Sequence, residues 1–234
     1  MVDELFSIHR LFLEKLQARY ILDPVALTHP FPERPWRSLG LIKIDGSVFS
    51  SERFLRAMVL TTTMLVSSRC TRSLFLSPRT ELYLPAFSSE TILMGSKRAF
   101  LVDIHTTVRP QRWQELNIEA RMLAIKQRYA DLCREPLVLR GRINDIMSRG
   151  SVYVRVPPGA DGQALGIFTE YLDLYCELVD AARPCEPTEH IRSQEDFEWY
   201  YTTVMNHDPA VKLYSLLFGN DGGQARVREL FFAR

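Results

Sequence analysis

No two cysteines of this chain lie close together. Cys70, Cys133, Cys176 and Cys185 are scattered, without a Cys-x-x-Cys pair or a histidine–cysteine cluster at metal-ligand spacing. This excludes a metal site of that kind and reads as four reduced thiols. No Gly-x-Gly-x-x-Gly follows a strand, and the Gly-Lys-Ser/Thr, His-Glu-x-x-His and Gly-x-Ser-x-Gly patterns are missing. Dinucleotide, nucleotide, zinc-hydrolase and serine-hydrolase chemistries therefore lack their physical parts. If the protein is an enzyme, its cofactor is the substrate itself or lies outside the chain.

Neither sign of charge dominates. With 29 Lys and Arg against 28 Asp and Glu, the net charge of +1 argues against a general nucleic-acid binder, whose footprint is a basic excess. The N-terminal stretch MVDELFSIHRLFLEKL opens with acidic residues and its apolar positions are broken by charge. It reads as neither signal peptide nor membrane span, and a cytoplasmic protein with no membrane partner is expected. There is no internal repeat and no low-complexity tract.

At 234 residues the chain can bury a sizeable core, and nothing forces a division, so residues 1–234 are expected to form one domain. Leu5, Ile8, Phe12 and Leu16 recur at helical spacing in residues 1–20. The next segment, DPVALTHPFPERPW, holds four of the 13 prolines and reads as an ordered strap. From Ser38 to His105 the pattern changes to strands: SLGLIKID, a turn at Asp45-Gly46, FLRAMVLTTTML, CTRSLFL, and a pair across Gly95. A long helix is expected from Pro110 to Leu132, then a strand SVYVRV, a helix capped by Asp161 and running to Ala182, and a helix from Thr188 to Met205. Two short helices, Pro209 to Phe218 and Gln224 to Phe232, are expected on either side of a GNDGG connection. The order predicts an α/β fold, an α/β/α sandwich whose central antiparallel sheet is covered by helices on both faces.

Chemistry concentrates in LYLPAFSSETILMGSKRAFLVDIHTTV, residues 82–108, where Glu90 and Asp103 interrupt two apolar strand patterns. Burial raises a carboxyl pKa and holds a proton ready near neutrality. Each residue also has a plainer reading. Glu90 fits a strand-end ion pair, and Asp103 fits an acceptor for the turn at Thr106 and Thr107. Asp208 before Pro209 is what a helix start looks like. His207 and His105 remain candidates only. Arg155 stands among apolar neighbours, where its fork needs either an internal carboxylate or a ligand.

Together with NHDPAVKLYSLLFGNDGGQARVRELFF, residues 206–232, this segment resembles the ferredoxin-dependent bilin reductase family. Leu84, Pro85, Phe87, Glu90, Gly95, Lys97, Arg98 and Asp103 fall on the family's central pattern, and Asp208, Pro209, Phe218, Gly219 and Leu230-Phe231-Phe232 on its C-terminal one. Arg155 matches a basic residue that several members point at a propionate, and Ser148 lies in the same neighbourhood. The resemblance implies an antiparallel sheet between helical layers, with a linear tetrapyrrole between the sheet and the C-terminal helices. It also implies no metal or bound cofactor, single electrons from reduced ferredoxin, and protons from carboxylates to a bilin radical. Glu90 and Asp208 would be the catalytic acids; Arg155, Ser148, Asp103 and His207 would bind substrate. A monomer is expected.

Two departures narrow the expectation. The central acid of these reductases is usually Asp, and Glu at this place is similar to red chlorophyll catabolite reductases. Phycocyanobilin-forming members carry Glu and His on the preceding strands, where Thr61 and Ser73 stand here. Reduction of biliverdin or a dihydrobiliverdin at the C15 methine bridge or the A-ring diene is therefore expected over A-ring vinyl reduction. A non-catalytic bilin carrier, a reductase of a chlorophyll-derived open-chain tetrapyrrole and a plain interaction domain are the alternatives.

Overall fold

The computed structural model describes residues 4–65, 69–139 and 141–233. Alternating burial and short connections give the expected meander. Among the described residues, seven strands lie in sequence order, each antiparallel to its neighbours. They are β1 (Asp23–Pro24), β2 (Ile42–Ser50), β3 (Phe54–Met64), β4 (Arg69–Pro78), β5 (Phe87–Met94), β6 (Lys97–Ile104) and β7 (Val152–Arg155). Asp45-Gly46 is not a turn: β2 runs through it, pairing Asp45 with Thr61 and Gly46 with Leu60. Gly46 is there for proximity, since a Cβ would stand 2.4 Å from the Val59 carbonyl oxygen.

One face of the sheet packs on α1 (Ile8–Gln17), α3 (Ile118–Arg128) and α4 (Asp161–Ala181). The sequence stripe holds, because Leu5, Ile8, Phe12 and Leu16 are all buried. From α4, Phe168, Tyr171, Leu172 and Tyr175 meet Phe87, Phe100 and Val102 of the sheet. Full burial of each such side chain contributes about 1.5–3 kcal/mol. The helix expected over Pro110 to Leu132 is broken into α2 (Pro110–Glu115) and α3, because Asn117 takes a left-handed conformation at φ 48°. Asp161 does not cap α4. It is the first helical residue, and its carboxylate binds Arg98 Nη1 of β6.

The opposite face carries α5 (Pro187–His207), α6 (Pro209–Phe218), α7 (Asn220–Val227) and a π-helical turn, Arg228–Phe232. Tyr200, Val204, Val211, Tyr214, Leu230 and Phe232 bury themselves against Ile44, Val48, Met58, Leu60 and Phe75. GNDGG is helical from Asn220 onwards rather than a connection. Its Gly223 lets α7 close on α6, since a Cβ would fall 2.4 Å from the Ser215 nitrogen. The proline-rich strap is ordered: Glu33 bridges Ile44 and meets Arg226, and the Thr28 N–H donates to Glu229.

These C-terminal elements cover only part of their face. Residues 61–64, Arg69–Ser73, Glu90, Ile92, Ala99 and Tyr153 are half-buried, and Met94 and Arg155 are exposed. A recess therefore lies between the less covered half of the sheet and the junction of α5 with α6.

Candidate functional site

The period-two alternation of β5 turns Phe87, Ser89 and Thr91 towards α4, and Ser88 and Glu90 towards α5 and α6. Glu90 is flanked by Ser73 of β4 and Leu101 of β6. Removal from water lifts its carboxyl from the ordinary 4.5 to about 7, and the negative field of Asp208 adds to the rise. Arg69 and a hydrogen bond from Ser73 act in the opposite direction. A group titrating there is about half protonated at neutral pH, which suits proton delivery.

Asp208 closes α5 and opens α6. Its Oδ1 accepts from the Ala210 N–H at 2.7 Å, with Pro209 in the first helical turn. Burial nevertheless raises its pKa, and the cap bond only partly offsets that. The cap occupies one carboxylate oxygen. Among the described residues nothing bonds the other, so capping and proton donation are compatible without leaving the cap.

Asp103 and Ser148 satisfy each other inside the protein. The Ser148 N–H donates to Oδ2 at 2.9 Å and its hydroxyl donates to Oδ1. Burial carries the Asp103 pKa to about 7, against these two bonds. Both residues are buried, and Asp103 holds the loop before β7 rather than the turn at Thr106 and Thr107. Arg155 lies on the Glu90 face of β7, paired with Ala99, and is exposed. The enclosed guanidinium expected from its apolar neighbours is not found, because β7 ends there. Among the described residues it forms no ion pair. His207 is half-buried beside Asp208.

Several neighbours escaped the sequence reading. Ser88, Arg69 and Tyr153 share the Glu90 face, and Tyr153 feels the charges of both Glu90 and Arg69. Their period-two relation to Glu90 was the available signal. The register also shows that Leu60, not Thr61, stands opposite Ser73 on this face. Tyr200 packs in the core beneath the C-terminal helices, and its hydroxyl reaches His105.

A groove of about 370 Å³ between α3 and α4 is a poorer candidate. Its charges are mutually paired, Arg121 with Glu177 and Arg128 with Glu170, as on an ordinary solvated face. Among the described residues no group of His, Cys, Asp and Glu is arranged to hold a metal ion, and no helix is long and apolar enough to cross a membrane.

The family model for ferredoxin-dependent bilin reductases matches residues 13–233. The chain belongs to that family. Among curated relatives, it is 25% identical over 155 residues to 15,16-dihydrobiliverdin:ferredoxin oxidoreductase of Gloeobacter violaceus, covering 64% of this chain and 62% of that protein. It is 20% identical over 162 residues to phycoerythrobilin:ferredoxin oxidoreductase of a Synechococcus strain, covering 67% of this chain and 62% of that protein. The chain thus spans less than two thirds of the length of these reductases. The crystal structure of tomato phytochromobilin synthase in complex with biliverdin superposes with a TM-score of 0.82 at 15% identity, over 97% of this chain and 82% of that one. The bilin reductase fold, a central antiparallel sheet flanked by helices, is therefore shared.

Proposed function

We propose that this family member reduces a linear tetrapyrrole, biliverdin or a dihydrobiliverdin, with single electrons from reduced ferredoxin and protons from Glu90 and Asp208. Each electron added to the conjugated bilin raises its basicity, so a carboxylic acid held protonated near neutrality must stand within reach. The observation that carries this reading is the pairing of Glu90 on the sheet with Asp208 at the α5–α6 junction, close enough for one charge to raise the other's pKa. Acids on two walls of one recess can deliver protons to different carbons of a flat ligand, at the C15 methine bridge or the A-ring diene. Arg155, which pairs with no carboxylate among the described residues, is assigned to a propionate. Asp103 and Ser148 brace the sheet beneath the bilin, and His207 borders the helical wall.

Ferredoxin supplies the electrons in this reading, and radical bilin intermediates follow from one-electron delivery. Anaerobic incubation of the protein with biliverdin, ferredoxin and a ferredoxin-reducing system tests it. A progressive change in the bilin absorption spectrum, with a product that chromatography separates from biliverdin, is expected. A bilin that binds stoichiometrically and stays unchanged identifies a carrier instead.

A further inference from the structure

One buried polar chain is not used by the two acids. His105 lies just beyond β6, with Nε2 2.7 Å from Ser88 Oγ and Nδ1 3.1 Å from the Tyr200 hydroxyl. Burial lowers the imidazole pKa to about 4, so the ring is neutral at physiological pH, with one nitrogen donating and the other accepting. With the proton on Nε2, Tyr200 donates to Nδ1 and Nε2 donates to Ser88. The Ser88 hydroxyl proton is then left to point into the recess.

The two ends of this chain open onto different places. Ser88 is half-buried on the Glu90 face of β5, two residues and about 7 Å along the strand from Glu90. Tyr200 lines a cavity of about 20 Å³ with the polar side chains of Ser77, Thr80, Thr107 and Ser193, room for about one water. A neutral imidazole between two hydroxyls passes a proton by taking it at one nitrogen and releasing it from the other. A purely structural strut has no need of a group with that property.

We infer that Ser88, His105 and Tyr200 form a proton relay that returns protons from this cavity to the Glu90 end of the recess. The inference rests on the proposed reduction. When Glu90 has given its proton to the bilin, its carboxylate takes a proton from a water bridging it to Ser88, and that water takes the Ser88 hydroxyl proton. Ser88 Oγ takes the proton of His105 Nε2, Nδ1 takes the phenol proton of Tyr200, and the Tyr200 oxygen takes one from cavity water, which solvent replenishes. One O–H bond is gained at Glu90, one proton is drawn from solvent, and no electron moves. The ring is left protonated on Nδ1, and exchange with water after the product leaves restores the starting tautomer.

His105→Gln keeps a donor and an acceptor and so preserves the strut, but an amide does not exchange protons between its two atoms in this way. Tyr200→Phe removes only the outer hydroxyl. Wild type and both variants, loaded with biliverdin, are mixed with reduced ferredoxin anaerobically at pH 8, where most Glu90 carboxyls start ionised and must be reprotonated, and the rise and decay of the one-electron-reduced bilin are followed by absorption and electron paramagnetic resonance. Bilin affinity and the rate of the first electron transfer are expected within twofold of wild type, and proton-dependent decay of the radical at least tenfold slower in both variants. Decay at the wild-type rate in folded, bilin-loaded variants overturns the relay alone. A wild type that reduces no bilin overturns the enzymatic reading, and the relay with it.

Discussion

The Glu90 carboxyl on β5 feels the Asp208 carboxyl at the head of α6, so the sheet and the helical layer share one electrostatic site. Asp208→Asn tests this directly. Asn caps a helix as well as Asp does, so the fold persists while the negative field disappears. The Glu90 pKa is then expected to fall below that of wild type, read from the carboxyl resonance of ¹³C-labelled glutamate. An unchanged midpoint would mean that the two groups do not interact.

Glu90 also gives stability a pH dependence of known sign. Its pKa is raised on folding from 4.5 to about 7, so the folded protein keeps a proton that the unfolded chain releases. This contribution is complete below about pH 4.5 and is lost as pH rises through 7. Glu90→Gln removes the loss. The variant is expected to gain up to about 3 kcal/mol over wild type at pH 8 and almost nothing at pH 4.5, by urea unfolding. A residual slope of the same sign remains from Asp103, whose pKa is also raised to about 7.

Ser148→Ala removes the hydroxyl donor of the buried Asp103 carboxylate and leaves it the backbone donors of residues 148 and 104. The cost is expected to be about 1–3 kcal/mol at pH 8, where the carboxylate is charged, and smaller at pH 5, where it is protonated. Because Ser148 holds the Asp103 pKa down, its loss pushes that pKa further up. Equal destabilisation at both pH values would argue that the hydroxyl bond carries no weight.

Arg155 separates binding from folding. It is exposed and, among the described residues, without an ion pair, so Arg155→Gln is expected to leave stability within about 0.5 kcal/mol. Bilin affinity should drop about fivefold, an effect that fades with added salt as for an exposed ion pair. Fluorescence titration of biliverdin at two ionic strengths measures both. A loss independent of salt would assign Arg155 a packing role.

The layered fold was legible because period-two alternation and the amphipathic stripe through Leu5, Ile8, Phe12 and Leu16 are local signals. The helix break at Asn117 was hidden, because a left-handed residue inside an apolar repeat leaves no compositional mark. Asp45-Gly46 misled in the other direction: the dipeptide favours a turn, but pairing along β3 and the close approach of the Val59 carbonyl outweigh that preference. Gly223 was misread for the same reason, since its purpose is contact between α6 and α7. Of the candidate site, Glu90 and Asp208 were visible as carboxylates in apolar or helix-start contexts. Their proximity across 118 residues is a tertiary fact, and the link of His105 to Tyr200 is another.

A single-turnover experiment with Glu90→Gln isolates the proton that the sheet gives to the bilin. The variant is loaded with biliverdin and mixed anaerobically with reduced ferredoxin. The bilin is expected to take up an electron and accumulate as a radical, with formation of reduced product slowed at least a hundredfold, consistent with loss of a general acid. Reduced product formed at the wild-type rate would contradict the assignment of Glu90 as the proton donor on the sheet.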